Sequence, residues 1–109
     1  MNLNEYQKLA ARTIPATDPD DQLHHGLFGL ASEAGEVLGI YQKVYQGHEM
    51  DNEHLQKEVG DLLWFIAEFC TSTGWNLDDI MQMNIDKLKA RFPKGFEIDK
   101  SLHRKEGDI

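Results

Sequence analysis

Two acidic pairs, Glu33-Ala34-Gly35-Glu36 and Glu58-Val59-Gly60-Asp61, constrain this chain most, because each interrupts a segment whose apolar residues repeat with the helical period. Acids three residues apart on a helix project from one side. At roughly 100° per residue, Glu58 falls inside the apolar arc of its segment between Phe65 and Phe69, with Asp61 at the edge. Glu33 borders the stripe that carries Val37 and Ile40. Carboxylates turned towards a core repel one another and lose hydration, so any fold that packs these segments together has to supply a positive partner. Nearby Lys43 and Lys57 offer one, which would make the acids ordinary solvated charges. A divalent cation offers another. Oxygen donors with no sulfur or imidazole among them suit Mg²⁺, or Mn²⁺ in its place, and the candidate ligands are Glu33, Glu36, Glu58 and Asp61.

The periodicity predicts four helices and no strand, an all-α chain. The first runs from about Asn4 to Ile14 and stops before Pro15. Thr17-Asp18-Pro19-Asp20 supplies a cap and an early proline for a second helix reaching about Gly47, with Leu27, Leu30, Ala34, Val37, Tyr41 and Val44 along its stripe. Asp51 or Asn52 caps a third, whose apolar side is Leu55, Val59, Leu62, Ile66, Phe69 and Cys70, closed by Gly74. Asn76 with Asp79 opens a fourth through about Arg91, and Phe92-Pro93 and Gly95 break it. Gly35 and Gly60 each cost a helix about 1 kcal/mol relative to alanine. Close helix packing is the expected reason, with room for substrate and water as the alternative.

At 109 residues the chain suits one domain, taken here as residues 1–96, followed by a polar tail over 97–109. Its net charge of −8 argues against a nucleic-acid partner, which Lys and Arg would have to neutralise. No apolar run approaches the roughly 20 residues of a membrane span, and Met1 to Arg12 holds no hydrophobic signal region, so no membrane partner is expected. The lone Cys70 reads as a small core residue and fits a reducing, cytoplasmic setting.

On the fourth helix Asn84, Lys87 and Arg91 fall along one side, and Asn84 also lies on the stripe of Leu77, Ile80, Met81 and Leu88. A buried amide there would seek a base edge or a phosphate oxygen, and the two cations would suit a phosphate chain. They also complement the helix dipole without any ligand. Trp64, Trp75, Phe28 and Tyr41 are candidates to stack on a nucleobase, although aromatics at helical spacing commonly form core. His24 and His25 are candidates to hydrogen-bond a ligand.

The segments Gly29-Leu30-Ala31-Ser32-Glu33-Ala34-Gly35-Glu36-Val37, Lys57-Glu58-Val59-Gly60-Asp61-Leu62-Leu63-Trp64 and Asn84-Ile85-Asp86-Lys87-Leu88-Lys89-Ala90-Arg91-Phe92-Pro93 together make the chain resemble the MazG-like nucleotide pyrophosphohydrolases of the all-α NTP pyrophosphatase superfamily. The resemblance implies a four-helix, bundle-like fold completed by oligomerisation as a homodimer or homotetramer. It also implies Mg²⁺-dependent hydrolysis of a nucleoside triphosphate to the monophosphate and pyrophosphate. Under it, Glu33, Glu36, Glu58 and Asp61 hold metal, Glu36 is the candidate general base, and Asn84, Lys87, Arg91 and Trp64 contact substrate. A di-iron bundle is disfavoured because neither pair carries the Glu-x-x-His signature. A non-catalytic, metal-binding helical adaptor is the reading from another functional class.

Overall fold

The computed structural model describes residues 1–15 and 18–109, and the fold is all-α. The chain divides into two compact units, Met1–Asn76 and Leu77–Ile109. The first holds α1 (Leu3–Ala11), α2 (Pro19–Tyr45) and α3 (Asn52–Thr73); the second holds α4 (Leu77–Arg91) and α5 (Ile98–Leu102).

Local chemistry sets the helix ends. Asn2 and Glu5 form a capping box at α1, which stops at Ala11, three residues short of the predicted end, in a turn through Arg12 and Thr13. Asp18 caps α2 by accepting from the Asp21 N–H at 2.9 Å, with Pro19 in the first turn; the other predicted cap, Thr17, lies outside the described residues. Asp51 accepts from the His54 N–H at 3.0 Å to open α3. Gly74 closes that helix at φ 77°, a left-handed conformation that glycine adopts without strain.

α2 and α3 form an antiparallel hairpin, as the facing positions demonstrate: His25 meets Glu68, Gly26 meets Phe69, Gly29 meets Phe65, and Glu33 meets Glu58 and Asp61. A Cβ on Gly26 would come within 3.2 to 3.3 Å of the Phe69 backbone, and one on Gly29 would lie 2.1 Å from the Phe65 ring. These two glycines set the interhelical distance. Gly35 and Gly60 do not, since a Cβ on either would meet nothing within 4 Å. The close-packing expectation for that pair is therefore corrected: their missing side chains leave open space beside the acids.

α1 is tied across α3 by Trp64, whose indole N–H donates to the Thr13 hydroxyl at 2.9 Å and the Ala10 carbonyl at 3.2 Å. The Gln7 amide adds a hydrogen bond to the Trp75 carbonyl at 2.9 Å. Ala10, Ile40, Ala67 and Cys70 are buried, and burial raises the Cys70 thiol above its ordinary pKa. Much apolar surface stays open along α2, where Leu27, Leu38, Tyr41 and Tyr45 are all exposed on the side away from the α3 seam. No helix among the described residues is long and apolar enough to cross a membrane.

In the second unit, the segment read as a polar tail is folded. It contains the short helix α5, and Asp108 takes a two-pronged ion pair from Arg91 at 2.9 and 2.8 Å. That pair holds the Asp108 carboxyl below the usual carboxylate range, with Arg104 and Lys87 adding to the effect, and raises the Arg91 guanidinium. Phe92 and Phe96 pack at 5.2 Å between ring centres around the Pro93 to Gly95 turn.

Candidate metal centre

The hairpin brings Glu33 of α2 against Glu58 and Asp61 of α3, each offering a carboxylate oxygen within 4.8 Å of the others. Among the described residues no lysine or arginine pairs with them. Lys57, a proposed partner, is bonded instead to Glu53 at 3.1 Å. Glu33 is the informative member, because its Oε2 is buried without any hydrogen-bond partner. Burial first, then close contact with Glu58 and the charges of Glu58, Asp61 and Glu36, raise the Glu33 carboxyl above the ordinary glutamate pKa. Three converging oxygens with uncompensated negative charge fit a hard divalent cation.

Glu36 is exposed, one turn beyond Glu33 on α2, and it acts on Glu33 through its charge. It also lines a cavity of about 320 Å³ at the hairpin's closed end, together with Lys43, His48 and His54. The sequence reading gave His54 no role, yet its Nε2 lies 3.1 Å from Glu58 Oε1, where it restrains that carboxylate. The i, i+4 spacing was the available signal. Tyr6 of α1 was also missed: burial and then the Asp61 charge raise its hydroxyl pKa, which places α1 at the edge of the acidic cluster.

Trp64 stands on α3 one turn past Asp61, with its indole N–H committed to α1 and its ring perpendicular to that of Phe65 at 4.9 Å between centres. Phe28 and Tyr41 are exposed on α2, and Trp75 packs edge-on to Phe69. In the second unit, Asn84 and Lys87 are exposed on α4, so the expected burial of the Asn84 amide is not found. Arg91 is the largely buried partner of Asp108. Lys87 and Arg91 line a cavity of about 400 Å³ with Lys100 and Arg104.

A sequence profile of the MazG nucleotide pyrophosphohydrolase domain matches residues 23–96, which span both acidic pairs and the whole of α4. The chain belongs to the MazG family. It is also similar to the Gene 37 protein of Mycobacterium phage L5, at 29% identity over 105 residues, covering 87% of this chain and 92% of that protein. No solved structure matches. The MazG match ends at Phe96, so α5 and Asp108, the partner of Arg91, lie beyond it.

Proposed function

We propose that the chain is a Mg²⁺-dependent nucleoside triphosphate pyrophosphohydrolase, releasing pyrophosphate and leaving the nucleoside monophosphate. The observation that carries this reading is the unpartnered, buried Glu33 oxygen facing Glu58 and Asp61 in a MazG-family chain. Such an arrangement is costly in a purely structural protein and useful in one that holds a cation.

Glu33, Glu58 and Asp61 would hold the ion, with Glu36 completing the set, and Mn²⁺ would substitute for Mg²⁺. When bound, the metal supplies Lewis-acid stabilisation of the phosphate oxygens and a more acidic water. The exposed Glu36 carboxylate is suited to accept the proton that water loses as its oxygen attacks phosphorus. The open space beside Gly35 and Gly60 gives water and phosphate access to the acids. Lys87 and Arg91 would contact phosphates, Arg91 exchanging its Asp108 carboxylate for a phosphate of like charge and geometry. Asn84 would hydrogen-bond sugar, base or phosphate, and Trp64 would bear on the substrate's flat faces.

The test is direct. Incubated with a panel of canonical and modified ribo- and deoxyribonucleoside triphosphates, the protein is expected to release equal amounts of pyrophosphate and monophosphate with Mg²⁺, and neither with chelator. Absence of both products with every nucleotide would end this reading and favour the metal-binding adaptor.

We also propose a homodimer or homotetramer in the cytoplasm, without nucleic acid or membrane as partner. The exposed α2 stripe of Leu27, Leu38, Tyr41 and Tyr45 supports a second copy, since soluble monomers seldom leave so continuous an apolar face uncovered. Light scattering at micromolar concentration is expected to give at least twice the monomer mass, and Leu38→Glu to lower it. A strict monomer in the parent protein would refute the assembly.

A further inference from the structure

Glu68 is the one fully buried charged side chain among the described residues, at 1% exposure. Its Oε1 lies 2.6 Å from His25 Nδ1 across the α2–α3 seam, while its Oε2 is buried with no partner. Packing alone does not account for it, because an apolar residue of similar volume would serve the seam without leaving a polar atom unsatisfied.

What the contact does is fix an imidazole. In the neutral imidazole, a carboxylate facing Nδ1 favours the tautomer that carries its proton there and leaves Nε2 as the acceptor, the arrangement by which carboxylates orient functional histidines. The His25 side chain is 49% exposed, and its Nε2 makes no hydrogen bond among the described residues. The ring is braced by Phe65, with centres 5.4 Å apart, and by the edge-on Trp64 at 6.3 Å. A histidine with one nitrogen anchored in the protein and the other open is built to receive a donor.

Its position relative to the acids says which donor. Glu68 follows Asp61 by seven residues, nearly the same side of α3 two turns on, and His25 precedes Glu33 by eight on α2. At a rise of 1.5 Å per residue the pair therefore lies roughly 10 to 12 Å along the same seam from the carboxylate cluster. That is the reach of a nucleoside from a phosphate held at the cluster, and flat rings of Trp64 and Phe65 stand beside the path.

We propose that His25, held by Glu68, accepts a hydrogen bond from the nucleoside end of the substrate, so that His25 reads the substrate and Glu68 is its positioning residue. The inference rests on the nucleotide-hydrolysis reading above. The donor is either an N–H of the base or a ribose hydroxyl, and the two are separable by experiment.

Steady-state kinetics on the nucleotides the parent cleaves test it. His25→Phe keeps a ring but removes the acceptor, and is expected to raise KM about tenfold with kcat little changed. His25→Gln, which returns an acceptor, recovers most of the loss. Glu68→Gln gives an intermediate KM. Inorganic tripolyphosphate, which has no nucleoside, inhibits parent and His25→Phe with the same Ki. A loss confined to ribonucleotides assigns the hydroxyl as donor; a loss that follows the base assigns the base. His25→Phe with the parent's KM on every nucleotide, or with tripolyphosphate inhibition weakened in parallel, overturns the proposal and leaves the hydrolase reading standing. A parent protein that neither cleaves nor binds any nucleotide overturns both.

Discussion

Glu33→Gln is expected to melt higher than the parent without metal and to lose most of its pyrophosphate release with metal. Both effects come from one atom. The parent buries a Glu33 oxygen with no hydrogen-bond partner, facing two further carboxylates. Glutamine removes one of the repelling charges and presents an amide N–H₂ that can donate to Glu58 or Asp61. Satisfying a buried polar atom of this kind is worth about 1 kcal/mol, roughly 5 °C in a chain of this size. The pH dependence has a definite sign. The Glu33 carboxyl is raised in the folded protein, so between the ordinary glutamate range and that raised value the folded state holds more protons than the unfolded. Its contribution to stability therefore falls as pH rises through this window and stays low at neutral pH, a decline that Glu33→Gln abolishes. Saturating Mg²⁺ reverses the order. At 100 times its dissociation constant, an ion bound only by the folded state stabilises the parent by about 2.7 kcal/mol, and the variant by much less. Activity is expected to drop about a hundredfold to a thousandfold in Glu33→Gln, Glu58→Ala and Asp61→Asn alike, the several kcal/mol that a correctly held metal contributes to phosphoryl transfer. Thermal melts with and without Mg²⁺, read beside pyrophosphate release, check all of this. A variant that melts lower without metal, or gains as much from Mg²⁺ as the parent, would contradict Glu33 as a ligand.

The features legible in the sequence are those decided within a turn or two of helix. Asp18, Asp51 and Gly74 act on neighbours three or four residues away, so their roles follow from spacing alone. The convergence of Glu33, Glu58 and Asp61 was legible for a related reason: a carboxylate inside an apolar arc has to face the adjoining helix, wherever that helix sits. Register between helices is another matter. Nothing within α2 distinguishes Gly29, which receives the Phe65 ring, from Gly35, which faces open space, because the difference is fixed by which residue of α3 arrives opposite. The His25 and Glu68 pair is hidden for the same reason, although a lone acid in the run Trp64-Phe65-Ile66-Ala67-Glu68-Phe69-Cys70 was a signal that went unused. α5 and the Arg91 to Asp108 pair depend on a contact 17 residues apart in a segment without strong period, and no local rule reaches that far. Asn84 shows the reverse error. Its place on an apolar stripe implied burial, but only Leu77 of that stripe is buried, and residues 81–90 of α4, Asn84 among them, are exposed.

The glycines turn that distinction into an experiment, since one substitution is expected to have opposite signs at different positions of the same hairpin. Alanine in place of glycine favours an exposed helix by up to about 1 kcal/mol. At Gly35 and Gly60, where a Cβ meets nothing within 4 Å, that gain is realised in full and the melting temperature rises by a few degrees. At Gly29 the added carbon would stand 2.1 and 2.2 Å from two atoms of the Phe65 ring. The ring cannot simply turn aside, because His25 and Trp64 lie against it at 5.4 and 4.9 Å between centres. Either the ring is expelled or α2 and α3 move apart, and overpacking of this kind costs about 1 to 3 kcal/mol, more than the helix gains. Gly29→Ala is therefore expected to lower the melting temperature by several degrees, whereas Gly29→Ala combined with Phe65→Leu, which removes the obstructing ring, recovers part of the loss through direct coupling of the two sites. Separation of the helices would also draw Glu33 away from Glu58 and Asp61, so Gly29→Ala is expected to weaken Mg²⁺-induced stabilisation as well, although the residue carries no side chain and touches no ligand. Equal melting temperatures for Gly29→Ala and Gly35→Ala would show that the seam is looser than these contacts require, and the metal centre would then owe its geometry to something other than the packing of this hairpin.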